Sequence, residues 1–176
     1  MTRHYEYMDF ERVCGIIDEI AEYNMAEKIT FHVMGEPFIH PRFFEILEHA
    51  AQLGVKTGIT TNGTYLDEEM AIKLEKVTAS QVNISLQTPD EESFKTRKSR
   101  RMKFDDYHNR ILKFIEGCLK QEKPPKIKVH FLNTSIKTEV PGEDWTVGTM
   151  SVINNTKELR KTFRYWAREV HKICPP

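Results

Sequence analysis

Short apolar runs rich in β-branched residues alternate along this chain with segments whose apolar residues recur every three or four positions. The short runs predict strands, and the longer periodic segments predict amphipathic helices. The predicted strands cover residues 29–34, 56–60, 81–86 and 126–132, with a fifth suggested at 146–153. The predicted helices cover residues 10–20, 41–51, 66–76 and 107–119, and a last one has a stripe of Leu159, Phe163, Trp166 and Val170. Alternation of this kind predicts an α/β fold with a mainly parallel sheet.

Length and composition add little to this prediction, but they exclude several classes of protein. The chain has 176 residues, of which 39% are hydrophobic and 30% are charged, so we expect one globular domain over residues 1–176. Its 26 basic and 26 acidic residues balance, which argues against a protein dedicated to nucleic acid or to an anionic membrane. No run is apolar enough to cross a bilayer or to act as a signal peptide, so the expected compartment is the cytoplasm.

The three cysteines do not form a metal-binding pattern. Cys14, Cys118 and Cys174 are far apart in the sequence, and no C-x-x-C pair is present. Cys14 and Cys118 fall on or beside apolar helix faces, where a cysteine behaves as a small hydrophobic residue. We therefore predict reduced thiols and no metal site formed by these residues.

Polar residues follow or end the first three predicted strands. Gly35 and Glu36 follow the first strand, Thr61 and Asn62 follow the second, and Ser85 lies near the end of the third. Ligands of parallel α/β folds bind at the carboxyl ends of the strands. A carboxylate beside hydroxyl and amide groups suits a small zwitterionic ligand. The alternative is that these residues only form turns, since Glu-Pro and Asn-Gly are common in loops.

Three segments in this order resemble the radical S-adenosylmethionine (SAM) superfamily. They are residues 34–37 (Met-Gly-Glu-Pro), 60–64 (Thr-Thr-Asn-Gly-Thr) and 84–86 (Ile-Ser-Leu), and the resemblance extends over residues 8–135. The first segment is similar to the family's glycine-glycine-glutamate-proline motif, with Met34 in place of the first glycine. The resemblance implies a partial parallel (β/α) barrel, similar to a TIM barrel.

The resemblance also implies a SAM site along the strand ends, with a small molecule as the partner. In it, Gly35 and Glu36 would receive the amino group of SAM, while Thr61, Asn62 and Ser85 would lie on the side of its carboxylate. Asn133, which follows the strand that begins at Lys126, would contact the ribose or the substrate. SAM would then be the source of a radical that abstracts hydrogen from the substrate.

One part of the family pattern is missing from this sequence. The family has a C-x-x-x-C-x-x-C loop after its first barrel strand, and the three thiolates of this loop hold a [4Fe–4S] cluster. The chain begins almost at the helix that follows that loop, so the N-terminal strand and the cluster loop are missing. We therefore expect a fragment of a longer enzyme, or a degenerate relative, that binds SAM but is inactive as it stands.

Two other functions stay open at this stage. A degenerate barrel could serve as a scaffold, with partner binding or self-association through the incomplete barrel edge. An ordinary acid–base enzyme is a third hypothesis, although the strand ends lack a nucleophile–base pair. The basic stretch 95–103 is interpreted as a solvated loop, although Arg97 lies where many members of the family have an arginine.

Overall fold

The computed structural model describes residues 6–32, 35–97, 102–131 and 156–175. Within these ranges, four parallel strands form one sheet in the order β1-β2-β3-β4, which is also their order along the chain. The strands are β1 (Lys28–Phe31), β2 (Lys56–Thr61), β3 (Gln81–Leu86) and β4 (Lys126–Phe131). The predicted α/β fold with a parallel sheet is therefore confirmed.

Helices precede the sheet and connect its strands, as parallel pairing requires. In chain order they are α1 (Phe10–Glu22), α2 (Phe43–Gln52), α3 (Glu68–Lys76), α4 (Glu91–Phe94), α5 (Phe104–Leu119) and α6 (Thr156–Ile173). None of the helices in the described ranges is long and apolar enough to cross a lipid bilayer.

Helix starts follow local capping chemistry. Asp9 caps α1, because its carboxylate accepts a hydrogen bond from the Arg12 backbone N–H at 3.0 Å. Helix α5 begins three residues before the predicted Tyr107, at a point where the Asp106 carboxylate accepts the Lys103 backbone N–H at 3.4 Å. The start of α5 is therefore set by local capping and not by the first residue of its apolar stripe.

The helices cover one face of the sheet and form the core with it. The side chains that meet there are at most 1% exposed, and include Ile59, Val82, Ile84, Leu86, Leu47, Leu66, Leu74, Ile111 and Phe114. Successive strand side chains point to opposite faces. The apolar face packs against helices, so the polar residues between these positions lie together on the other face.

Helix α6 contacts this core along a narrow side centred on Trp166. The Trp166 side chain is 3% exposed, and its indole N–H donates a hydrogen bond to the Pro89 carbonyl oxygen at 2.9 Å. Its predicted packing role is confirmed. Val170 packs against the core as predicted, but the prediction was wrong for Phe163, which is 60% exposed, because Tyr165 lies on the packed side of α6 instead. The suggested fifth strand at 146–153 lies outside the described residues.

Candidate functional site

The ends of β1, β2 and β3 bring the predicted site residues to one edge of the sheet. Parallel pairing of Phe31 with Ile59 and of Thr61 with Ile84 aligns these strands in the same direction. The segments that follow the strands therefore emerge side by side. Glu36 and Asn62, which are 26 residues apart in the sequence, are in direct contact there.

Glu36 is held by backbone N–H groups from two segments. One carboxylate oxygen accepts the Asn62 N–H at 2.8 Å, and the other lies 3.5 Å from the Phe38 nitrogen, which donates to it. The residue is 9% exposed. A carboxylate offers about four acceptor positions, so these two bonds leave room for a further donor such as an ammonium. The fold itself thus fixes the orientation of the Glu36 carboxylate.

Gly35, which directly precedes Glu36 in the sequence, has open space around its backbone. Its φ angle is +128°, a region in which side chains other than that of glycine are strained, and a Cβ added there would meet no atom within 4 Å. The residue is exposed. A ligand can therefore approach the backbone at Gly35 closely.

The turn after β2 is formed by side chains within it. The Asn62 side-chain oxygen accepts the Thr64 N–H at 2.9 Å, while the amide nitrogen of that side chain makes no hydrogen bond to a described residue. Gly63 has a φ angle of +83°, and an added Cβ would lie 3.0 Å from both the Tyr107 hydroxyl oxygen and Ile111 Cδ1. Only glycine suits this position without strain. The Asn62 amide N–H₂ remains available as a donor.

Thr61 and Ser85 lie on different faces of the sheet. Thr61 is 1% exposed, and its hydroxyl oxygen accepts the Gly63 N–H at 3.1 Å. The structure therefore does not bring its side chain to the polar face, and supports a role in holding the turn. Ser85 is half-buried on the polar face, where it pairs in register with His130 of β4. Asn133, the last of the predicted site residues, lies outside the described residues.

Two residues that the sequence analysis did not assign to the site hold the Asn62 backbone. The Tyr107 hydroxyl donates to the Asn62 carbonyl oxygen at 2.7 Å, and an Arg97 guanidinium nitrogen lies 3.3 Å from the same oxygen. Another Arg97 nitrogen donates to the Thr64 hydroxyl at 3.0 Å. The guanidinium carbon lies 4.7 Å from the centre of the Tyr107 ring. Asn62 is thus fixed through its N–H by Glu36 and through its carbonyl by Tyr107 and Arg97.

Burial governs the ionisation of Tyr107. The side chain is 0% exposed, and burial raises the pKa of Tyr107 to about 12, although the nearby Arg97 opposes the shift. The hydroxyl is therefore protonated at neutral pH and can donate to the Asn62 carbonyl.

The interpretation of 95–103 as a solvated loop was wrong for Arg97. This side chain is only partly exposed, and its hydrogen bonds reach residues from three segments of the chain. The basic residues around Arg97 are typical of a solvated stretch, so composition did not indicate its role. The one signal in the sequence was that many members of the family have an arginine at this position. Residues 98–101 lie outside the described ranges.

The described cysteines do not form a cluster site. Cys118 is buried, Cys14 is partly buried and Cys174 is exposed, and all three are free thiols. Burial raises the pKa of Cys118 to about 12, so this thiol is protonated at neutral pH. Among the described residues, no three His, Cys, Asp or Glu side chains lie close enough together to hold a metal ion. These residues therefore do not suit an iron–sulfur cluster.

A sequence profile described as the radical SAM superfamily matches residues 1–137 of the chain. Among curated proteins, the tungsten-containing aldehyde ferredoxin oxidoreductase cofactor-modifying protein of Pyrococcus furiosus is 33% identical over 79 residues. That match covers 45% of this chain and 22% of that protein. The S-adenosylmethionine-dependent nucleotide dehydratase of Flammeovirga pacifica is 38% identical over 63 residues, which are 36% of this chain and 21% of that protein.

Among solved structures, the chain is similar to BtrN, which was crystallised in complex with AdoMet and 2-DOIA. The TM-score is 0.48 at 16% identity, and the match covers 76% of this chain and 47% of that one. The chain thus spans less than half of each of these three proteins.

Proposed function

Because the chain belongs to the radical SAM superfamily, we propose that the carboxyl ends of β1 to β3 form the wall that holds SAM in a radical SAM enzyme. The observation that carries the proposal is the Glu36 carboxylate, which accepts the Asn62 N–H at 2.8 Å and adjoins the open backbone of Gly35. SAM combines an ammonium, a carboxylate and a ribose. It therefore needs a charged acceptor and several polar donors close together.

The residues at the strand ends divide the binding of SAM among them in this proposal. Glu36 receives the ammonium with its remaining acceptor positions, and Gly35 allows the ligand to approach the backbone. The Asn62 amide N–H₂ and the Ser85 hydroxyl donate to the carboxylate of SAM. Thr61 acts indirectly by holding the turn at Gly63.

Bound SAM would supply the radical chemistry of the family, while these residues bind and orient it. The proposal includes no step at an iron–sulfur cluster, because the described residues do not provide its ligands. Contact of Asn133 with the ribose or substrate stays a prediction. The activity of the whole protein is likewise proposed and not transferred from the relatives, whose names indicate different substrates.

Isothermal titration of SAM into the wild-type chain and into Glu36→Gln tests the proposal. Glutamine keeps an oxygen for the Asn62 N–H but cannot form an ion pair with an ammonium. A hydrogen bond to a charged group contributes about 1.5–3 kcal/mol, so we expect the dissociation constant to rise about 10- to 100-fold. The matched control is Glu48→Gln, which changes an exposed glutamate on α2 that has no hydrogen bond to a described residue.

Circular dichroism on the same samples separates loss of binding from loss of folding. The proposal holds if Glu48→Gln binds SAM as the wild type does and a folded Glu36→Gln binds it weakly. Equal affinity in both variants, or no saturable heat with a folded wild-type chain, would contradict a SAM site at Glu36.

An interaction scaffold is the second candidate, and it rests on the sheet edges. Among the described strands, β1 and β4 each pair on one side only. Unpaired strand edges can recruit another chain. Analytical ultracentrifugation tests self-association: a monomer at all concentrations would oppose it, whereas a concentration-dependent dimer that is lost on substitution at β1 or β4 would support it.

A further inference from the structure

The face of the sheet that none of the described helices covers is polar from one edge to the other. Its side chains alternate with the buried ones, and in the pairing register they form cross-strand rows. The rows contain Lys28 and Lys56, then Thr30, Gly58, Gln81 and Lys126, then Thr60, Asn83 and Lys128, and finally Ser85 and His130. No large apolar side chain occurs among them.

This composition differs from that of a packed barrel interior. The interior of a closed TIM barrel is filled by layers of bulky branched side chains such as valine, isoleucine and leucine. Here the equivalent positions have amides, hydroxyls and amines, which lose free energy on burial unless they are hydrogen-bonded. The inner face of this partial barrel must therefore contact water or a polar ligand.

A chain of hydrogen bonds organises part of this face. The Lys28 ammonium donates to the Gln81 side-chain oxygen at 3.1 Å. The Gln81 amide donates to Asn83 at 2.6 Å, and the Asn83 amide donates to the Thr60 hydroxyl at 3.1 Å. Strand β2 lies between Lys28 and Gln81, and at Gly58 of this strand an added Cβ would lie 3.0 Å from the Thr30 hydroxyl oxygen. The polar side chains of β1 to β3 are thus oriented by one another.

Strand β4 adds positive charge that has no partner among the described residues. Lys126, Lys128 and His130 are exposed, and none has a hydrogen bond or ion pair to a described residue. None of the four strands contains Asp or Glu. Lys56 is paired with Glu27 at 2.7 Å, and Lys28 donates only to the neutral Gln81 side chain. Among the described residues, Lys28, Lys126 and Lys128 are therefore cations of this face without a carboxylate partner, and the two lysines of β4 have no hydrogen-bond partner either. Positive charge without counter-charge on such a face attracts anions.

We propose that this face binds the phosphate group of a phosphorylated small-molecule substrate, with Lys126 and Lys128 as its cationic partners and His130 beside them. The assignment of this phosphate to a substrate rests on the proposed SAM-dependent function. Binding of phosphate at this face does not depend on that function. Lysines two positions apart on a strand are separated by about 6.6 Å, so their flexible side chains can converge on one anion. A phosphate with about two negative charges matches two ammonium groups better than a single carboxylate does.

The order of the cross-strand rows places the proposed phosphate site next to the proposed SAM wall. His130 pairs with Ser85, which belongs to that wall, and Lys128 lies one row further from the strand ends. A substrate whose phosphate lies at Lys128 would extend towards the strand ends, where SAM is proposed to bind. The two sites are adjacent and have different side chains.

Nuclear magnetic resonance titration with inorganic phosphate tests the proposal on the wild-type chain at constant ionic strength. We expect saturable shifts of the His130 ring and of the Gln81 and Asn83 side-chain amides. In Lys128→Gln the dissociation constant should rise at least tenfold. Lys113→Gln is the matched control, because Lys113 is exposed on helix α5 and has no hydrogen bond to a described residue. Its phosphate affinity should equal that of the wild type.

Three results of the anion titrations would overturn the proposal. They are shifts that do not saturate, equal phosphate affinity in Lys128→Gln and Lys113→Gln, and tighter binding of malonate than of phosphate, which would indicate a carboxylate site. SAM titration of Lys128→Gln distinguishes the two proposals. Loss of SAM affinity there would assign Lys128 to the SAM site and contradict a separate phosphate site. Loss of phosphate binding in Lys128→Gln together with unchanged SAM binding in Glu36→Gln would support this site and refute the SAM wall.

Discussion

Replacement of Tyr107 by phenylalanine removes one hydroxyl from the network that holds the turn after β2. The ring stays in the core, where the residue is 0% exposed, and only the hydrogen bonds of the hydroxyl are lost. These are the bond to the Asn62 carbonyl oxygen at 2.7 Å and the bond from Arg97 at 3.3 Å. The variant therefore isolates what the hydroxyl contributes.

The size of the effect follows from what remains around Asn62. A buried acceptor that loses its donor costs about 1–3 kcal/mol, but here Arg97 still reaches the Asn62 carbonyl oxygen. We therefore expect the free energy of unfolding to fall by about 1–2 kcal/mol at neutral pH.

The same hydroxyl predicts a dependence on alkaline pH. Burial raises the pKa of Tyr107 to about 12, whereas an unfolded tyrosine titrates near pH 10. Because the pKa is higher in the folded state, the stability that this group contributes is complete below about pH 10 and is lost as the pH rises towards 12. Phenylalanine does not titrate, so the stability gap between wild type and variant should narrow by about 1.3 kcal/mol between about pH 9 and pH 11.

Urea unfolding followed by circular dichroism at neutral pH, pH 9 and pH 11 measures both effects. The control is Tyr65→Phe, because Tyr65 is 43% exposed and should show neither effect. Equal stability of Tyr107→Phe and wild type at neutral pH would refute the role of the hydroxyl at Asn62. A gap that stays constant up to pH 11 would refute the account of its ionisation.

Three further predictions concern other parts of the fold. Gly63→Ala should lower the free energy of unfolding by more than about 1 kcal/mol, since the φ angle of Gly63 is +83° and an added Cβ would meet two atoms at 3.0 Å. Gly15 lies in open space on α1, so Gly15→Ala should raise the free energy of unfolding by about 0.5–1 kcal/mol. Denaturant titration compares the two variants. Trp166→Phe loses the hydrogen bond to Pro89 and should increase hydrogen exchange in α6 more than in α5. Burial lowers the pKa of His108 in the folded state, so stability should decrease as the pH falls below about 6.5, and His108→Phe should abolish that component in acid unfolding curves.

Local chemistry made some parts of the site predictable. Gly35, Glu36 and Asn62 were identified because a glycine, a carboxylate and an amide follow strand-like runs, and the family motifs coincide with them. Their contact is a consequence of parallel pairing, which aligns strand ends that lie a full helix apart in the sequence. For these residues, periodicity and topology were sufficient.

Other parts depended on contacts between distant segments. The hydroxyl of Thr61 was expected near the ligand, but strand alternation directs it into the core, where it holds Gly63. From the sequence, Arg97 was interpreted as part of a solvated loop and Tyr107 as the first residue of a helix. Their common partner, Asn62, precedes them by 35 and 45 positions, and no local pattern indicates that contact.

The order of strands and helices, the parallel α/β class and the polar residues at the strand ends could be predicted without the structure, because each depends on local periodicity or on short motifs. Tertiary structure alone decided which of those polar groups meet, since contact across segments depends on pairing register and packing. The polar face illustrates the difference. The alternation of Lys126, Lys128 and His130 is visible in the sequence, but its alignment with Gln81, Asn83 and Ser85 exists only in the folded sheet.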